Sequence, residues 1–329
     1  MAVVKVEKLK AYYVTGVYGV KRTIRAIEDL SLEINKNEIL GIAGESGCGK
    51  TTLTKVLFGM IKPPLTVLGG KVVYNLGDGN ADILSMPSDQ LTKLRWKEVS
   101  YIPQGSMSVL NPVRRIKKTF QDFIGTHRRM EKKEDFEILV RNYLRDLGLP
   151  LGVLASYPHQ LSGGMRQRVT VALATILKPR IIFADEPSTA LDVVVQRGVI
   201  QLLKRIQKEQ KSTLVLVTHD MAVHANIADR IAIMYAGKII EEAKTSVIFK
   251  GSLHPYTKYL IDSLPRIGDK GYRVSVPGTP PQLSSPPKGC RFHPRCPNTR
   301  EMCKEKIPLL VDVGDGHKVA CSCISDEKI

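Results

Sequence analysis

One stretch, Gly44-Glu45-Ser46-Gly47-Cys48-Gly49-Lys50-Thr51, constrains the chain more than any other. It has the spacing G-x-x-x-x-G-K-T. An apolar run from Ile39 to Ala43 precedes it, and apolar residues at helical spacing follow from Thr52 to Met60. That context predicts a buried strand, a phosphate-binding loop and a helix. The glycines let successive N–H groups turn inward onto phosphate oxygens, and the helix start adds partial positive charge at the same place. In such a loop Lys50 bridges the β- and γ-phosphates of a nucleoside triphosphate, and the Thr51 hydroxyl ligates Mg²⁺. The competing reading, a glycine-rich turn with a chance Lys-Thr, leaves the flanking strand and helix without a reason.

The chain has 329 residues, 43% hydrophobic and 25% charged, which is enough for one large or two smaller globular domains. No apolar run approaches a membrane span, and MAVVKVEKLK has no signal-peptide core, so the expectation is a cytoplasmic protein. The net charge of +17 admits nucleic acid, an anionic membrane surface or an acidic protein patch as partners. The basic residues are scattered, with local clusters at Arg114-Arg115-Ile116-Lys117-Lys118 and Arg128-Arg129, so a solvated basic surface explains them equally well.

Along the chain, Val3 to Tyr13 and Ala26 to Ile34 read as strands around a turn at Thr15 to Lys21. Either Tyr12 or Tyr13 could stack on a purine. After the phosphate loop and its helix come a short strand at Lys71 to Tyr74 and a helix at Ser88 to Arg95. A strand at Val99 to Pro103 delivers Gln104 to a loop, where it could reach a metal or an attacking water. Val113 to Tyr157 reads as helical throughout, with the apolar periodicity of Glu134 to Leu147 ending at Gly148 and Pro150. The run Leu161-Ser162-Gly163-Gly164-Met165-Arg166-Gln167-Arg168 then predicts a helix from Met165 to Leu177 with Ser162 as its N-cap and a second anion site at its start.

Arg180 to Glu186 reads as a buried strand ending in two carboxylates. Asp185 is placed to hold Mg²⁺ through water and Glu186 to polarise the attacking water, since adjacent acids there need a metal or solvent to take up their charge. Thr189 to Asp192 opens a further helix, and a strand at Leu214 to Thr218 ends at His219, within reach of a γ-phosphate or of the Glu186 water. Ile231 to Tyr235 and Lys238 to Glu241 predict a hairpin. Strands alternating with helices, with antiparallel strands in front, predict an α/β core with a parallel sheet and a ligand at its carboxyl ends. After about residue 250 come a short helix at His254 to Leu264, the Pro-rich linker GTPPQLSSPPKG, and five of the six cysteines.

Cys290, Cys296, Cys303 and Cys321 are separated by five, six and seventeen residues, and Cys323 follows one residue later. Clustered thiols in a reducing compartment suit Zn²⁺ or an iron–sulfur cluster; two disulfides and a free thiol are the alternative.

In this order, the phosphate loop, Gln104, LSGGMRQR, Asp185-Glu186, Leu191-Asp192 and His219 make residues 3 to 250 resemble an ATP-binding-cassette ATPase. YIPQGSMSVLNP, HPYTKYLIDSLP and VPGTPPQLSSPPKGCRFHPRC resemble the oligopeptide and dipeptide importer ATPases, which extends the likeness to almost the whole chain.

The resemblance implies a RecA-like parallel sheet core with an antiparallel β subdomain and a helical subdomain at about 105–178. Together these form a nucleotide-binding domain over 1–250, with a Cys-rich extension over 251–329. It implies Tyr13 as the base-stacking aromatic and Gly44, Glu45, Ser46, Gly47, Cys48, Gly49, Lys50, Thr51 and Thr52 as the phosphate loop, with the Cys48 side chain turned away from the phosphates. It makes Gln104 and Thr51 Mg²⁺ residues, Asp185 a further holder of Mg²⁺, Glu186 the base and His219 the switch histidine. Ser162, Gly163 and Gly164 are implied to reach the ATP of a partner cassette, and Asp192 to lie in the dimer contact. It also implies a [4Fe–4S] cluster on Cys290, Cys296, Cys303 and Cys321, with Cys323 as a substitute for Cys321 and zinc as the alternative metal.

The implied activity is ATP hydrolysis that powers peptide import. The implied partners are a second, related cassette ATPase in a heterodimer, two membrane permeases and a substrate-binding protein; no nucleic acid is expected. The site of action is the cytoplasmic face of the membrane. Import of oligosaccharides or another solute is the nearest alternative. A soluble cassette acting on nucleic acid is a more distant one, because the chain has neither the long coiled coils nor the second cassette of such proteins. An exporter would fuse the cassette to membrane spans, and no such span is in the sequence.

Overall fold

Two long strands, β1 (Ala2–Val17) and β2 (Val20–Asn35), open the chain as an antiparallel pair. Val4 and Val6 point to the core, and then so do Leu9 and Ala11, so the alternation changes phase between them. The cause is a bulge at Lys8, which takes a left-handed φ of 45° where the register shifts, and a one-residue insertion moves the following side chains to the other face. This computed structural model describes residues 1–17, 20–77, 79–105, 109–127, 133–189, 191–265 and 276–325. The expected turn over Thr15 to Lys21 is narrower than its sequence suggests, because Thr15, Gly16 and Val17 pair with Arg22, Lys21 and Val20. Arg128, Arg129, Ala190 and residues 106–108 of the YIPQGSMSVLNP run lie outside the described residues.

The chain divides into two compact units, one of Met1–Ser85 with Val217–Ile329, the other of Met86–Leu216. In the first, β3 (Ile39–Ala43) is buried along its whole length and leads through the phosphate loop into α1 (Lys50–Leu57). Then β4 (Leu65–Asn75) pairs with β1 and β5 (Asn80–Asp82) with β4, giving an antiparallel sheet in the order β2-β1-β4-β5.

The second unit holds α2 (Ser88–Leu94), β6 (Val99–Ile102), α3 (Ile116–His127), α4 (Lys133–Asp146), α5 (Gly163–Thr175), β7 (Ile181–Asp185), α6 (Val193–Gln210) and β8 (Thr213–Val217). Its strands run β8-β7-β6, with β6 parallel to β7. The helical stretch expected from Val113 to Tyr157 consists of two helices and a short 3₁₀ turn at Leu151–Ala155. Gly148, at a φ of 68°, and Pro150 end α4, as a left-handed glycine followed by proline must. Each helix keeps one buried stripe: Ile116, Phe120 and Ile124 on α3, and Phe136, Val140 and Leu144 on α4. α6 starts at Val193 rather than at Thr189, because the Asp192 carboxylate accepts from the Val195 N–H and caps it there.

The chain returns to the first unit with α7 (Met221–Ile227), β9 (Arg230–Tyr235), β10 (Lys238–Lys244), α8 (Thr245–Gly251), α9 (Pro255–Asp262), α10 (Glu301–Glu305), β11 (Val311–Asp312), β12 (Lys318–Val319) and α11 (Ser322–Ser325). β9 runs parallel to β3 and forms the expected hairpin with β10. β12 then pairs antiparallel with β10, so the C-terminal residues add strands to the sheet that carries the phosphate loop, in the order β11-β12-β10-β9-β3.

Two features fix that return. Tyr235, Tyr256 and Phe292 form one buried aromatic cluster with ring centroids 4.7, 5.2 and 5.5 Å apart. The fully buried Glu241 carboxylate accepts from the Leu253 and His254 N–H groups and from His317 Nε2, at 2.6, 3.1 and 2.7 Å. A buried carboxylate is tolerable only with such partners.

Candidate functional site

In the first unit the phosphate loop is built by glycines that no other residue can replace. Gly44 has a φ of 151° and Gly49 one of 109°; a Cβ on either would sit 2.1 Å from the Met234 carbonyl oxygen or 2.3 Å from that of Ala26. Gly49 is the N-cap of α1 and offers no side chain to the first turn, so the helix start is capped by no side chain. Ser46 and Gly47 are exposed at the tip of the loop, Glu45, Gly49 and Thr51 are half-buried, and Thr52 is buried. Lys50 is buried, and its ammonium donates to the Gly44 and Glu45 carbonyls at 2.7 and 2.9 Å. The Cys48 thiol lies 3.8 Å from that ammonium; burial pushes its pKa up, so it stays a neutral thiol.

The two tyrosines separate cleanly. The Tyr13 hydroxyl is 3.2 Å from Thr52 Oγ1 of α1, which aims the ring at the loop. The Tyr12 hydroxyl donates to Glu28 at 2.7 Å, and burial with that carboxylate pushes its pKa up to about 12. His219 is exposed just beyond β8, where Asp220 starts α7 by accepting from the Ala222 and Val223 N–H groups. Behind it, His224 is fully buried and neutral, its pKa lowered to about 4 by burial. Its Nε2 donates to the Thr218 carbonyl at 3.2 Å, and its ring fills the space over Gly41 of β3.

In the second unit β7 ends at Asp185, which is fully buried and accepts from the Tyr101 hydroxyl at 3.0 Å. The next residue, Glu186, takes a left-handed φ of 46°. For a residue with a long side chain that is strained backbone, held only because its surroundings fix it. Two donors meet its Oε2: Gln104 Nε2 at 3.2 Å, from the loop after β6, and Thr189 Oγ1 at 2.9 Å. The structure therefore brings Gln104 and Glu186 together and adds Thr189. Only its place three residues after Glu186 hinted at Thr189. Ser162 caps α5, accepting from the Met165 N–H at 3.3 Å, so the helix begins at Gly163, two residues before the sequence suggests. Gly164 lies so close to α6 that a Cβ would meet Val195 at 2.7 Å. Asp192 is exposed, and so are Val193 and Val194 beside it.

Cys290, Cys296, Cys303, Cys321 and Cys323 all line one cavity of about 480 Å³ in the first unit. They are free thiols, with Cys303 Sγ and Cys323 Sγ 3.8 Å apart, so the disulfide arrangement is not present. Burial raises the pKa of Cys290 to about 11. Among the described residues, no three His, Cys, Asp or Glu side chains stand as a ready-made metal-ligand group.

Sequence reading missed a set of contacts from the C-terminal region to the phosphate loop. Arg295 makes a two-pronged ion pair with Glu45 at 2.7 and 2.9 Å, and the Tyr256 hydroxyl accepts from the Glu45 N–H at 2.8 Å. Arg291 pairs with Glu28 at 2.6 Å. The only sequence signal was two arginines within the cysteine-bearing run, which does not point to a partner 250 residues away.

Comparison with known proteins completes the picture. Residues 27–189 match the ABC transporter family, and residues 240–303 match the oligopeptide/dipeptide transporter C-terminal region. A dipeptide transport ATP-binding protein of Caldanaerobacter subterraneus is 40% identical over 97% of this chain and 96% of its own length. The chain belongs to the ABC transporter family. An oligopeptide transport ATP-binding protein of Escherichia coli is 38% identical to this ABC transporter chain, over 87% of it and 84% of the relative. Among solved structures, the dimeric post-hydrolysis state of the ATP-binding cassette MJ0796 bound to ADP and Pi superposes with a TM-score of 0.64 at 28% identity. It covers 74% of this chain and 98% of that one. The ABC ATPase fold read from the motif order is thus the fold observed. Among the described residues, no helix is long and apolar enough to cross a membrane.

Proposed function

We propose that this chain is the ATP-hydrolysing subunit of an importer for di- and oligopeptides. The observation that carries the hydrolytic part is the Glu186 carboxylate, fixed by Gln104 and Thr189 on strained backbone beside the buried Asp185. A carboxylate held in one orientation can take the proton of a water placed beside it. Glu186 accepts the proton of a water whose oxygen attacks the γ-phosphorus, and the bond to the ADP leaving oxygen breaks. Lys50 and the N–H groups of the loop bind and orient the phosphates, Tyr13 stacks on the base, and His219 contacts the γ-phosphate. Thr51, Gln104 and Asp185 are the residues that would hold Mg²⁺, whose bound charge offsets that of the phosphates.

The rest of the proposal concerns assembly. Ser162 to Gly164 at the start of α5 contact the nucleotide of a second cassette, so ATP joins two ATPase subunits and hydrolysis releases them. Asp192, with the exposed Val193 and Val194, lies in that contact. The dimeric cassettes among the similar structures support this reading. The cassette spans 1–250, with its helical subdomain at about 105–178, and the extension spans 251–329. The partner is a related but different ATPase, the pair sits on two permeases at the cytoplasmic face of the membrane, and a binding protein supplies the peptide. The names of the relatives, dipeptide and oligopeptide transport proteins, support a peptide cargo over an oligosaccharide. The test is uptake by proteoliposomes carrying the full assembly. Peptide uptake that depends on ATP supports the reading; uptake of oligosaccharide alone overturns it.

The cavity lined by five cysteines supports a metal centre in the extension. An all-thiol donor set fits a [4Fe–4S] cluster better than it fits hard cations. Cys290, Cys296, Cys303 and Cys321 would hold it, with Cys323 as a substitute for Cys321, and its contribution would be structural. Iron and acid-labile sulfide in anaerobically purified protein support this; zinc without iron overturns it.

A further inference from the structure

The second residue of the phosphate loop is Glu45, a carboxylate inside a loop whose work is to bind a polyanion. Left uncompensated, its charge opposes every phosphate that approaches the site. The fold supplies the compensation from 250 residues away. The Arg295 guanidinium spans both Glu45 oxygens, Nη1 to Oε2 at 2.7 Å and Nη2 to Oε1 at 2.9 Å. Its remaining donors are taken up by the Pro277 carbonyl at 2.6 Å and the Tyr235 hydroxyl at 3.2 Å, with longer contacts to the Val276 and Gly278 carbonyls. The guanidinium also lies 5.8 Å from the centre of the Tyr235 ring. Arg295 is 8% exposed, and an arginine keeps its charge at any ordinary pH, so this neutralisation is permanent.

The same residue is held at two other points. The Tyr256 hydroxyl accepts from the Glu45 N–H at 2.8 Å, and the Glu45 carbonyl receives the Lys50 ammonium at 2.9 Å. The strap leading to Arg295 lies along the loop as well. Pro280 to Ser284 share a cleft of about 370 Å³ with Glu45 to Cys48, and the Leu283 carbonyl accepts from the Arg25 N–H at 2.9 Å. Arg295 itself ends the short turn His293–Arg295, and the next residue is Cys296.

We propose that Arg295 is a positioning residue for nucleotide binding. By neutralising and orienting Glu45 it keeps the phosphate loop receptive to ATP, so the C-terminal region forms part of the nucleotide site of its own chain. The pair is specified by geometry: a planar guanidinium matches both carboxylate oxygens at once.

The test is a pair of variants in the full chain, read by equilibrium ATP binding and steady-state hydrolysis. Arg295→Gln keeps hydrogen-bonding capacity and removes the charge. It is expected to weaken ATP binding and raise KM about tenfold, with a much smaller change in kcat. Adding Glu45→Gln to it is expected to recover most of that loss, because the unbalanced carboxylate is then gone. A double variant as weak as Arg295→Gln, or a loss confined to kcat, would overturn the proposal and leave Arg295 with a packing role. Should Arg295→Gln fail to fold, Arg295→Lys carries the test. It retains the charge, so KM is expected to stay within about threefold, and a tenfold rise would overturn charge compensation.

Discussion

Glu45 and Glu186 are both carboxylates at the end of a buried strand, and the chain treats them in opposite ways. Glu45 meets a buried guanidinium that spans both oxygens. Glu186 Oε2 accepts from two neutral donors, the Gln104 amide and the Thr189 hydroxyl. The planar guanidinium matches both oxygens of Glu45 and offsets its charge. We propose a division of work on that basis: Arg295 offsets the charge of Glu45 where phosphate binds, and Glu186 takes the proton of the attacking water.

The largest effect should come from replacing the available carboxylate. Glu186→Gln keeps the shape and both hydrogen bonds within reach but cannot accept a proton. It is expected to lower kcat by a factor on the order of 10²–10⁴ with ATP binding retained. Arg295→Gln should show the reverse pattern, the loss falling on ATP binding. Steady-state kinetics of the two variants side by side separate the roles, and the same pattern in both would break the comparison.

Acid probes the Glu45 side through its buried histidine. His224 has a pKa of about 4 in the folded chain against about 6.5 when unfolded, so the unfolded chain binds the proton first. Its contribution is therefore complete above pH ~6.5 and is lost as pH falls toward ~4, by roughly 3 kcal/mol at most. Urea unfolding midpoints should drop over that window, and the drop should flatten in His224→Asn. A midpoint independent of pH would contradict the neutral, buried assignment.

A smaller effect is expected at the second donor to Glu186. Thr189→Val removes one hydrogen bond that orients the carboxylate without touching its charge, so kcat should fall by about fivefold, with ATP binding unchanged. A fall as large as that of Glu186→Gln would mean that Thr189 acts on the reaction directly.

The sequence made the phosphate loop legible because its spacing, flanking strand and helix all demand one geometry, and β3 and α1 form where they were expected. The strand that ends at Asp185 was legible too, as an unbroken apolar run closed by two acids. The left-handed backbone at Glu186 was not legible, since nothing in its side chain favours it and the neighbouring groups impose it. The phase change at Lys8 was hidden for the same reason, because a bulge is set by its partner strands β2 and β4. The end of α4 was legible in Gly148 and Pro150, which close the apolar periodicity of Glu134 to Leu147. Arg295 was out of reach for a different reason. A contact spanning 250 residues leaves no local pattern, and the linker composition that suggested a separate tail concealed a strap along the loop.

We propose that Glu186 acts as the base while bound ATP holds two cassettes together. Sedimentation velocity of Glu186→Gln with its partner ATPase, with and without Mg-ATP, tests both at once. A pair that assembles only with ATP and stays assembled for hours with negligible phosphate release is the predicted result. Assembly that ignores ATP, or phosphate release at the wild-type rate, would contradict it.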